Sequence, residues 1–386
     1  MVEINSFTEN RQGVNLLGKL TAETFALLGL KAEFVSSTTA QFGDHVILTR
    51  KGKSNRKVIM VSHLDTVFPP EEELRNGFRW QEEGDRIYGP GTMDIKGGTV
   101  MIWLVLSALS QHSAAVFDEI TWQVFLNASE EKLTKDLADL CRSQMDGQTL
   151  AALVFEAEGR SNENPSIVVA RKGRATWRVS VSGRGAHAGV KHQHGANALV
   201  QLSKTIHQIA ALTDYSKDLT FNVGTAQGGT GFNRVPHEAF AEGEFRAFSR
   251  EVYAQGRKSL LGLAGPGEVR SPADDYRCSV AIQILNETAP WAPNRETDSL
   301  FELWKQAGTE LGLTLGREER AGLSDGNLLY DAVPTLDGLG PWGDNDHCSE
   351  RSADGSKVPE FVAISSFVPK AMLNIAAILK LVQQAR

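Results

Sequence analysis

Residues 57–65 read KVIMVSHLD, an apolar and β-branched run that ends in a histidine and an aspartate. Such a run between polar segments is typical of a buried strand. Further runs lie at 120–127 (ITWQVFLN) and 152–157 (ALVFEA), with helical patterns from residue 97 and around 133–141 between them. Strands that alternate with helices favour an α/β fold. We therefore predict a domain with a mixed, mostly parallel sheet flanked by helices.

A change of pattern near residue 172 indicates a second domain. The segment 175–183 (ATWRVSVSG) alternates as a half-buried strand, and 196–212 (ANALVQLSKTIHQIAAL) has helical spacing. The order that follows, β-α-β-β-α-β, is that of the ferredoxin-like split unit. We predict an inserted α+β domain at 173–287 within a first domain made of 1–172 and 288–386. In the returning part we expect a helix near Gly326 and a final helix from about Val362 to Gln384.

The composition excludes several classes of protein. Among 386 residues, 40 Lys and Arg stand against 47 Asp and Glu, a net charge of −7. The sequence has no block of basic residues of the kind that binds nucleic acid, so we expect no nucleic-acid partner. Three widely separated cysteines form no disulfide framework and fit a reducing compartment, so we expect a cytoplasmic protein. No signal peptide is visible. The longest apolar run, 99–109, is about half of the roughly 20 residues that a membrane span requires, so we expect a buried helix and no membrane partner.

Acidic and imidazole side chains follow several predicted strands, where α/β sheets place their sites. In SHLDT, Asp65 stands two residues after His63, a spacing that lets a carboxylate orient an imidazole. Each position also has an ordinary explanation, such as a helix cap or an exposed charge pair. Together they form a set of nitrogen and oxygen ligands without a thiolate, which suits Zn²⁺, Co²⁺ or Mn²⁺. Its members are His63, Asp94, Glu131, Glu156 and His347.

Seven motifs, taken in order, resemble the M20 family of dizinc peptidases and deacylases, and look closest to its glutamate carboxypeptidases. They cover nearly the whole chain, which makes the resemblance specific. The motifs are SHLDTV (62–67), GPGTMDIKGG (89–98), NASEEK (127–132), VFEAEG (154–159), RKGRATWRVSVSGRGAHAG (171–189), GTGFNRVP (229–236) and GPWGDNDH (340–347).

The resemblance implies a zinc-peptidase-like domain that holds two divalent metal ions. Two residues would bind one metal, His63 and Glu156. Two others would bind the second, Glu131 and His347, with Asp94 bridging both. The resemblance also implies a cis peptide bond after that bridging aspartate.

Further roles follow from the same resemblance. Asp65 would orient His63, and Glu130 would be the general base. The inserted domain would act as a lid and dimerise the protein, so that His187 reaches across a homodimer to polarise the scissile carbonyl. Asn233 and Arg246 match positions that hold substrate.

The implied activity is metal-dependent hydrolysis of an amide bond in a small peptide or an N-acyl amino acid, through a metal-bridging water. Glu156 at the fifth ligand position favours the carboxypeptidases and deacylases of the family. Two alternatives stay open: a dipeptidase or aminopeptidase of the same fold, and a catalytically silent binding protein. The intact base and ligands weigh against silence.

Three features depart from the family pattern. Ser129 stands where the family usually has an aspartate before its two glutamates, and KLT (132–134) replaces a small Gly-Ser turn. Glu360 corresponds to a family glutamate that follows the last histidine sooner, which leaves ERSADGSKV (350–358) as an insertion. A second substrate-side arginine has no match in QILNETAPW (283–291), so a preference for glutamate is not implied.

Overall fold

The structure is a computed structural model, which describes residues 1–161 and 164–384. Its helices are α1 (Arg11–Ala26), α2 (Pro70–Asn76), α3 (Gly97–His112), α4 (Ala114–Glu119), α5 (Asp136–Gln144), α6 (Ala198–Ala210), α7 (Arg250–Leu261), α8 (Arg295–Glu310) and α9 (Phe367–Gln384).

The strands are β1 (Lys31–Ser36), β2 (Asp44–Arg50), β3 (Lys57–His63), β4 (Gln81–Glu83), β5 (Arg86–Tyr88), β6 (Thr121–Asn127), β7 (Thr149–Val154), β8 (Gly159–Ser161), β9 (Asn164–Arg171), β10 (Gly173–Ser182), β11 (Thr220–Gly228), β12 (Glu238–Ala247), β13 (Gly265–Arg270), β14 (Arg277–Thr288), β15 (Gly316–Arg320), β16 (Thr335–Leu336), β17 (Gly343–Asp344) and β18 (Phe361–Ala363).

The chain divides into two compact units. Unit 1 comprises Met1–Val169, Pro293–Glu319 and Ser324–Arg386, and unit 2 comprises Ala170–Ala292 and Arg320–Leu323. The sequence predicted the inserted domain at 173–287.

Unit 1 is built around a six-stranded sheet in the order β1-β2-β6-β3-β7-β16. Strand β3 pairs in parallel with β6 and with β7, β16 pairs in parallel with β7, and β1 and β2 run antiparallel. The predicted mixed, mostly parallel α/β sheet is therefore confirmed. Parallel pairing brings the carboxyl ends of β3, β6 and β7 to the same edge of the sheet.

The central strands β3, β6 and β7 are buried on both faces, as their continuous apolar sequences require, whereas the edge strand β1 is mostly exposed. Successive side chains of a strand point to opposite faces. In β3, Val58 and Met60 pack into the core cluster with α1, α3, α8 and α9, whereas Ile59 and Val61 pack into the cluster that includes α5. The apolar run at 99–109 forms most of helix α3, as predicted, and its core-facing residues are buried.

Two described helical stretches, Thr92–His112 and Ile364–Gln384, have the length and apolar composition of a membrane span. Both contribute side chains to the same core cluster of unit 1. Core helices of soluble proteins meet the same criteria, so length and composition alone are weak evidence for a membrane.

Unit 2 has a five-stranded antiparallel sheet in the order β11-β12-β10-β14-β13. The predicted β-α-β-β-α-β succession is present from β10 onward, but β13 is an additional strand that the sequence did not reveal. Its segment, GPGEVR, contains two glycines and a proline, which are depleted in strands. Side chains of α6 and α7 pack with the sheet in a core of their own.

In the returning segment one predicted helix was wrong, and the predicted final helix was confirmed with a later start. The helix expected near Gly326 is a single 3-10 turn, Asp325–Leu328, which Ser324 caps. The final helix begins at Phe367, because Phe361–Ala363 pairs as β18 with β5 and β17 instead. Helical periodicity could not show that these apolar residues extend a second, small sheet.

The start of helix α3 depends on a close backbone approach. A Cβ atom added to Gly98 would lie 2.0 Å from the carbonyl oxygen of Phe155, a backbone atom that cannot turn aside. Gly98→Ala should therefore lower the free energy of unfolding by about 1 to 3 kcal/mol. The measurement is the denaturant midpoint, with Gly147→Ala as the control, since a Cβ at Gly147 would meet nothing within 4 Å. Equal midpoints for both variants would contradict this packing.

Candidate metal centre

Five predicted ligand residues lie at one edge of the unit 1 sheet. His63 is the last residue of β3, Glu131 lies in the turn after β6, and Glu156 follows the end of β7. Asp94 lies in the turn before α3, and His347 follows β17. The structure thus brings together residues that are up to 284 positions apart, as their His63–Asp94 and His347–Asp94 contacts show.

The two oxygens of Asp94 face two different imidazoles. Its Oδ1 lies 2.8 Å from Nε2 of His63, and that nitrogen lies 3.9 Å from Oε1 of Glu156. Its Oδ2 lies 3.3 Å from Nε2 of His347, which lies 3.4 Å from Oε2 of Glu131. The ligand atoms therefore form two adjacent sets that share one carboxylate, as a bridge between two cations requires.

The donor chemistry fits divalent cations. Two imidazoles and three carboxylates provide borderline and hard ligands, the types that Zn²⁺ and its neighbours accept. Potential ligand atoms of His63, Asp94 and Glu131 lie within 4.8 Å of one another, and the same holds for Asp94, Asp346 and His347.

The concentration of carboxylates among the predicted ligands also favours bound positive charge. Burial and the nearby Asp94 carboxylate raise the pKa of Glu131 to about 7. Hydrogen bonds to Asp94 and Glu131 raise the pKa of His347 to about 11. The pKa of Asp94 is lowered although burial opposes this, because both imidazoles donate to it. Protons on imidazole and carboxyl groups thus supply compensation that bound cations would otherwise give.

Glu130, the predicted general base, is buried beside the ligand sets. Its pKa is raised well above the usual value, first by burial and then by the negative charges of Glu156 and Glu131. A carboxyl group with a raised pKa in a cleft is typical of a group that exchanges protons during catalysis.

Asp65 holds both the histidine and the acidic turn. The carbonyl oxygen of Asp65 lies 2.9 Å from Nδ1 of His63, whereas its carboxylate lies 3.5 Å away, so the backbone is the closer partner. The carboxylate accepts the backbone N–H of Glu130 at 3.0 Å and that of Glu131 at 3.2 Å. The hydroxyl of Thr8 donates to it as well, at 2.8 Å. One aspartate therefore contacts three of the predicted site residues.

The two preceding amides of the same turn are also held by side chains. The N–H of Ala128 donates to Nδ1 of His45 at 3.1 Å, and the N–H of Ser129 donates to Oδ1 of Asn127 at 3.0 Å. The amide of Asn127 in turn donates to both oxygens of Asp325. Every N–H from 128 to 131 is thus bound to a side chain, which holds the turn in one conformation.

Glu360 performs the corresponding task for Asp94. Its buried carboxylate accepts the N–H of Met93 at 2.8 Å, of Asp94 at 3.1 Å and of Gly91 at 3.4 Å. Burial and the Asp94 charge raise the pKa of Glu360 to about 8. The peptide bond between Asp94 and Ile95 is cis, as the resemblance implied.

The insertion at 350–358 is tied to its surroundings within unit 1. Lys357 pairs with Glu350 at 2.7 Å, and Arg351 pairs with Glu83 at 2.9 Å and lies over the ring of Tyr88. These exposed ion pairs contribute little stability each, yet together they direct the path of the loop that follows His347.

In unit 2, His187 and Asn233 lie on two segments that pair with each other. The N–H of Ala188 donates to the carbonyl oxygen of Asn233 at 2.9 Å. Nδ1 of His187 accepts the N–H groups of Gly189 and Val190, at 3.2 and 3.1 Å. A ring nitrogen that accepts hydrogen bonds carries no proton, so Nε2 is the nitrogen of this exposed side chain that can donate.

Arg246 has other partners in the described structure. Its guanidinium donates to both oxygens of Glu244, at 2.7 and 3.2 Å, and to the carbonyl oxygen of Ala321 at 3.0 Å. Arg178 pairs separately with Glu242 at 2.9 Å. A substrate carboxylate would have to share Arg246 with Glu244.

Sequence reasoning missed several residues of the site. Asp325 is buried, and burial raises its pKa to about 6. Asp346 joins one of the ligand groups. His45 and Asp136 lie 3.1 Å apart beneath the turn that carries Glu130. The sequence offered a signal only for Asp346, which adjoins a predicted ligand, because Asp325, His45 and Asp136 reach the site through the fold.

Comparison with known proteins agrees with this geometry. Residues 169–261 match the family model of the peptidase dimerisation domain, M20_dimer. Carboxypeptidase G2 of Pseudomonas sp. (strain RS-16) is 28% identical over 363 residues, which are 93% of this chain and 84% of that protein. The aminopeptidase PepT from Bacillus cereus ATCC 10987 superposes with a TM-score of 0.77 at 21% identity, over 98% of this chain and 95% of that chain.

A further solved structure shares the fold. The Bacillus subtilis YXEP protein, a dinuclear metal binding peptidase from the M20 family, has a TM-score of 0.64 at 13% identity. The alignment covers 99% of this chain and 96% of that chain. The chain thus contains an M20 peptidase dimerisation domain, is homologous to carboxypeptidase G2 over most of its length, and shares its fold with solved metallopeptidases of the M20 family.

Proposed function

We propose that this protein hydrolyses an amide bond in a small peptide or an N-acyl amino acid, with two divalent cations and Glu130 as the general base. One observation carries the proposal: Asp94 is shared between two sets of ligand atoms, and the buried carboxyl group of Glu130 lies beside them. A binding protein without activity has no physical need for such a base. We propose zinc as the metal, with cobalt or manganese as substitutes, because the ligands are imidazoles and carboxylates.

The residues of the chain divide the catalytic work. Bound cations would supply Lewis acidity toward the substrate carbonyl and lower the pKa of the attacking water. Glu130 accepts the proton of that water on its carboxylate and then donates it to the leaving amine. Because Glu130 is buried, the proton passes between water and amine without exchange with bulk solvent. The exposed Nε2 of His187 is a donor for the oxyanion that develops on the substrate.

The carboxypeptidase and deacylase type is the proposed substrate class. The 28% identical relative is a carboxypeptidase, and Glu156 occupies the position that favours this type. In such substrates a free carboxylate lies next to the scissile amide, and Arg246 is the proposed cation for it. The alternative is an aminopeptidase or dipeptidase, which recognises a free amino group of its substrate.

We further propose a cytoplasmic homodimer that forms through unit 2. The dimerisation family model covers most of this unit. Strand β11 lies at the edge of its sheet, so one side of the strand has free backbone groups that can pair with another chain. Helix α6 exposes Leu199 and Val200, at 41% and 47%.

One experiment should distinguish the role of the metal ions from that of the general base. Hydrolysis of a panel of N-acyl amino acids and dipeptides should stop on chelation and return with Zn²⁺ or Co²⁺. Glu130→Gln should keep two metal ions per chain but lose about 100- to 10,000-fold in kcat, because the proton carrier is removed. Glu131→Gln, the adjacent control, should lose metal. Measured metal content that falls in Glu130→Gln would make Glu130 a ligand and refute its role as base.

Mixing of inactive variants tests the role of His187. If His187 serves the active site of the partner subunit, His187→Ala and Glu130→Gln should regain partial activity when mixed, through heterodimers with one intact site. Subunit exchange is followed with a tag on one variant. Demonstrated exchange without any recovery would show that each site is built within one chain.

A substitution of Arg246 tests whether the enzyme recognises the free carboxylate of its substrate. Arg246→Ala should weaken kcat/KM for free-carboxylate substrates by about 2 to 5 kcal/mol, as when a charge pair loses one partner. The matched C-terminal amides should lose much less. Arg178→Ala, in the same sheet and also paired with a glutamate, is the control and should affect neither. Equal losses on acids and amides would favour the aminopeptidase alternative.

A further inference from the structure

The buried carboxylate of Asp136 connects three segments of unit 1 next to the turn of residues 128–131. Oδ2 of Asp136 accepts the hydroxyl of Ser37 at 2.8 Å and the N–H and hydroxyl of Thr38 at 2.9 and 3.1 Å. Oδ1 accepts the hydroxyl of Thr134 at 2.7 Å. The side chain of Asp136 is only 8% exposed. So many donors indicate that this carboxylate is ionised, and they hold the pKa of Asp136 below its usual value although burial opposes this.

The first connection from Asp136 to the turn passes through two hydroxyl groups. Thr134 uses its single proton on Asp136, so its oxygen can only accept from Ser129, 2.6 Å away. The hydroxyls therefore donate in one direction, from Ser129 to Thr134 to Asp136. Ser129 is fully buried and immediately precedes Glu130.

The second connection passes through an imidazole. Nδ1 of His45 accepts the N–H of Ala128 at 3.1 Å, so the proton of the ring lies on Nε2, which lies 3.1 Å from Oδ2 of Asp136. His45 is fully buried. At this distance the negative charge of Asp136 favours a proton on Nε2, which is the one tautomer that can hold Ala128.

These two connections reach Ala128 and Ser129, whereas Asp65 holds the amides of Glu130 and Glu131. The N-terminal side of the turn thus has an anchor of its own. Loss of that anchor leaves the amides of Glu130 and Glu131 bound to Asp65, but releases the amide of Ala128 and the side chain of Ser129, which precede Glu130.

We propose that Asp136 is a positioning residue for the general base: its charge, carried through Thr134 and His45, fixes the Ala128–Ser129 backbone and thereby the direction of Glu130. The inference rests on the proposed hydrolytic function. It goes beyond that function by assigning the alignment of the base to a residue that touches neither metal ligand nor substrate.

The first test is Asp136→Asn, which keeps the size of the side chain and removes its charge. We expect kcat to fall about 10- to 100-fold, with KM and the content of two metal ions unchanged. Thr134→Val, which interrupts only the hydroxyl route, should lower kcat in the same direction and serves if Asp136→Asn does not fold. Asp139→Asn, an exposed aspartate of the same helix, is the control and should change nothing. An unchanged kcat, or metal loss in proportion to activity, would overturn the proposal.

A double variant that moves the negative charge from residue 136 to residue 129 distinguishes a positioning role of Asp136 from a general loss of stability. In Ser129→Asp alone, the carboxylates of residues 129 and 136 would compete for the single hydroxyl proton of Thr134, so kcat should fall. In Ser129→Asp/Asp136→Asn the carboxylate stands at the other end of the same connection, and kcat should exceed that of both single variants. A double variant no more active than the weaker single variant would contradict the proposal.

Backbone hydrogen exchange provides a readout independent of activity. In Asp136→Asn the amide of Ala128 should exchange faster than in the unmodified protein, whereas the amides of Glu130 and Glu131, which Asp65 holds, and those of α3 should not. Faster exchange in a protein that hydrolyses nothing would refute the proposed function and leave the anchor standing. Unchanged exchange in an active enzyme would refute the anchor alone.

Discussion

Four consecutive backbone N–H groups, those of residues 128–131, are each bound by a side chain, and the active centre depends on this constraint. His45, Asn127 and the two oxygens of Asp65 accept them in turn. The turn carries a proposed metal ligand and the proposed base next to each other, although adjacent carboxylates repel in a buried setting. A turn held at every amide can keep both side chains at fixed positions without help from bound metal, which is the preorganisation that catalysis by positioned groups requires.

The same principle recurs on the opposite side of the centre. Glu360 binds three amides of the turn that holds Asp94, so the shared carboxylate is fixed through its backbone and not only through its contacts with imidazoles. Carboxylates therefore have two distinct tasks here. The predicted ligands are proposed to offer oxygens to cations, whereas Asp65, Glu360 and Asp136 bind backbone and hydroxyl donors. This division explains why so many acidic groups can be buried in one region.

Four of the ligand-type residues end or follow strands, positions that the apolar pattern marks, whereas Asp94 lies in a glycine-rich turn before α3. The sequence also supported the mostly parallel sheet, since strands buried on both faces are continuously apolar. It could not reveal the supports: His45 lies within a strand, and Asp325 lies in a short turn that resembled a helix start. Residues of this kind acquire a role only when distant segments pack together. For Arg246 the resemblance suggested a substrate contact, yet the side chain binds Glu244, a neighbour two residues away that alternation places on the same face.

We propose that the two ligand sets that share Asp94 hold two cations. Anomalous diffraction at the zinc absorption edge, on crystals grown with Zn²⁺, would locate them. We expect two peaks per chain, one beside His63 and Glu156 and one beside Glu131 and His347, with Asp94 between them. Two metals of this kind lie about 3.5 to 4 Å apart in paired sites. A single peak, or peaks remote from Asp94, would contradict a paired metal site.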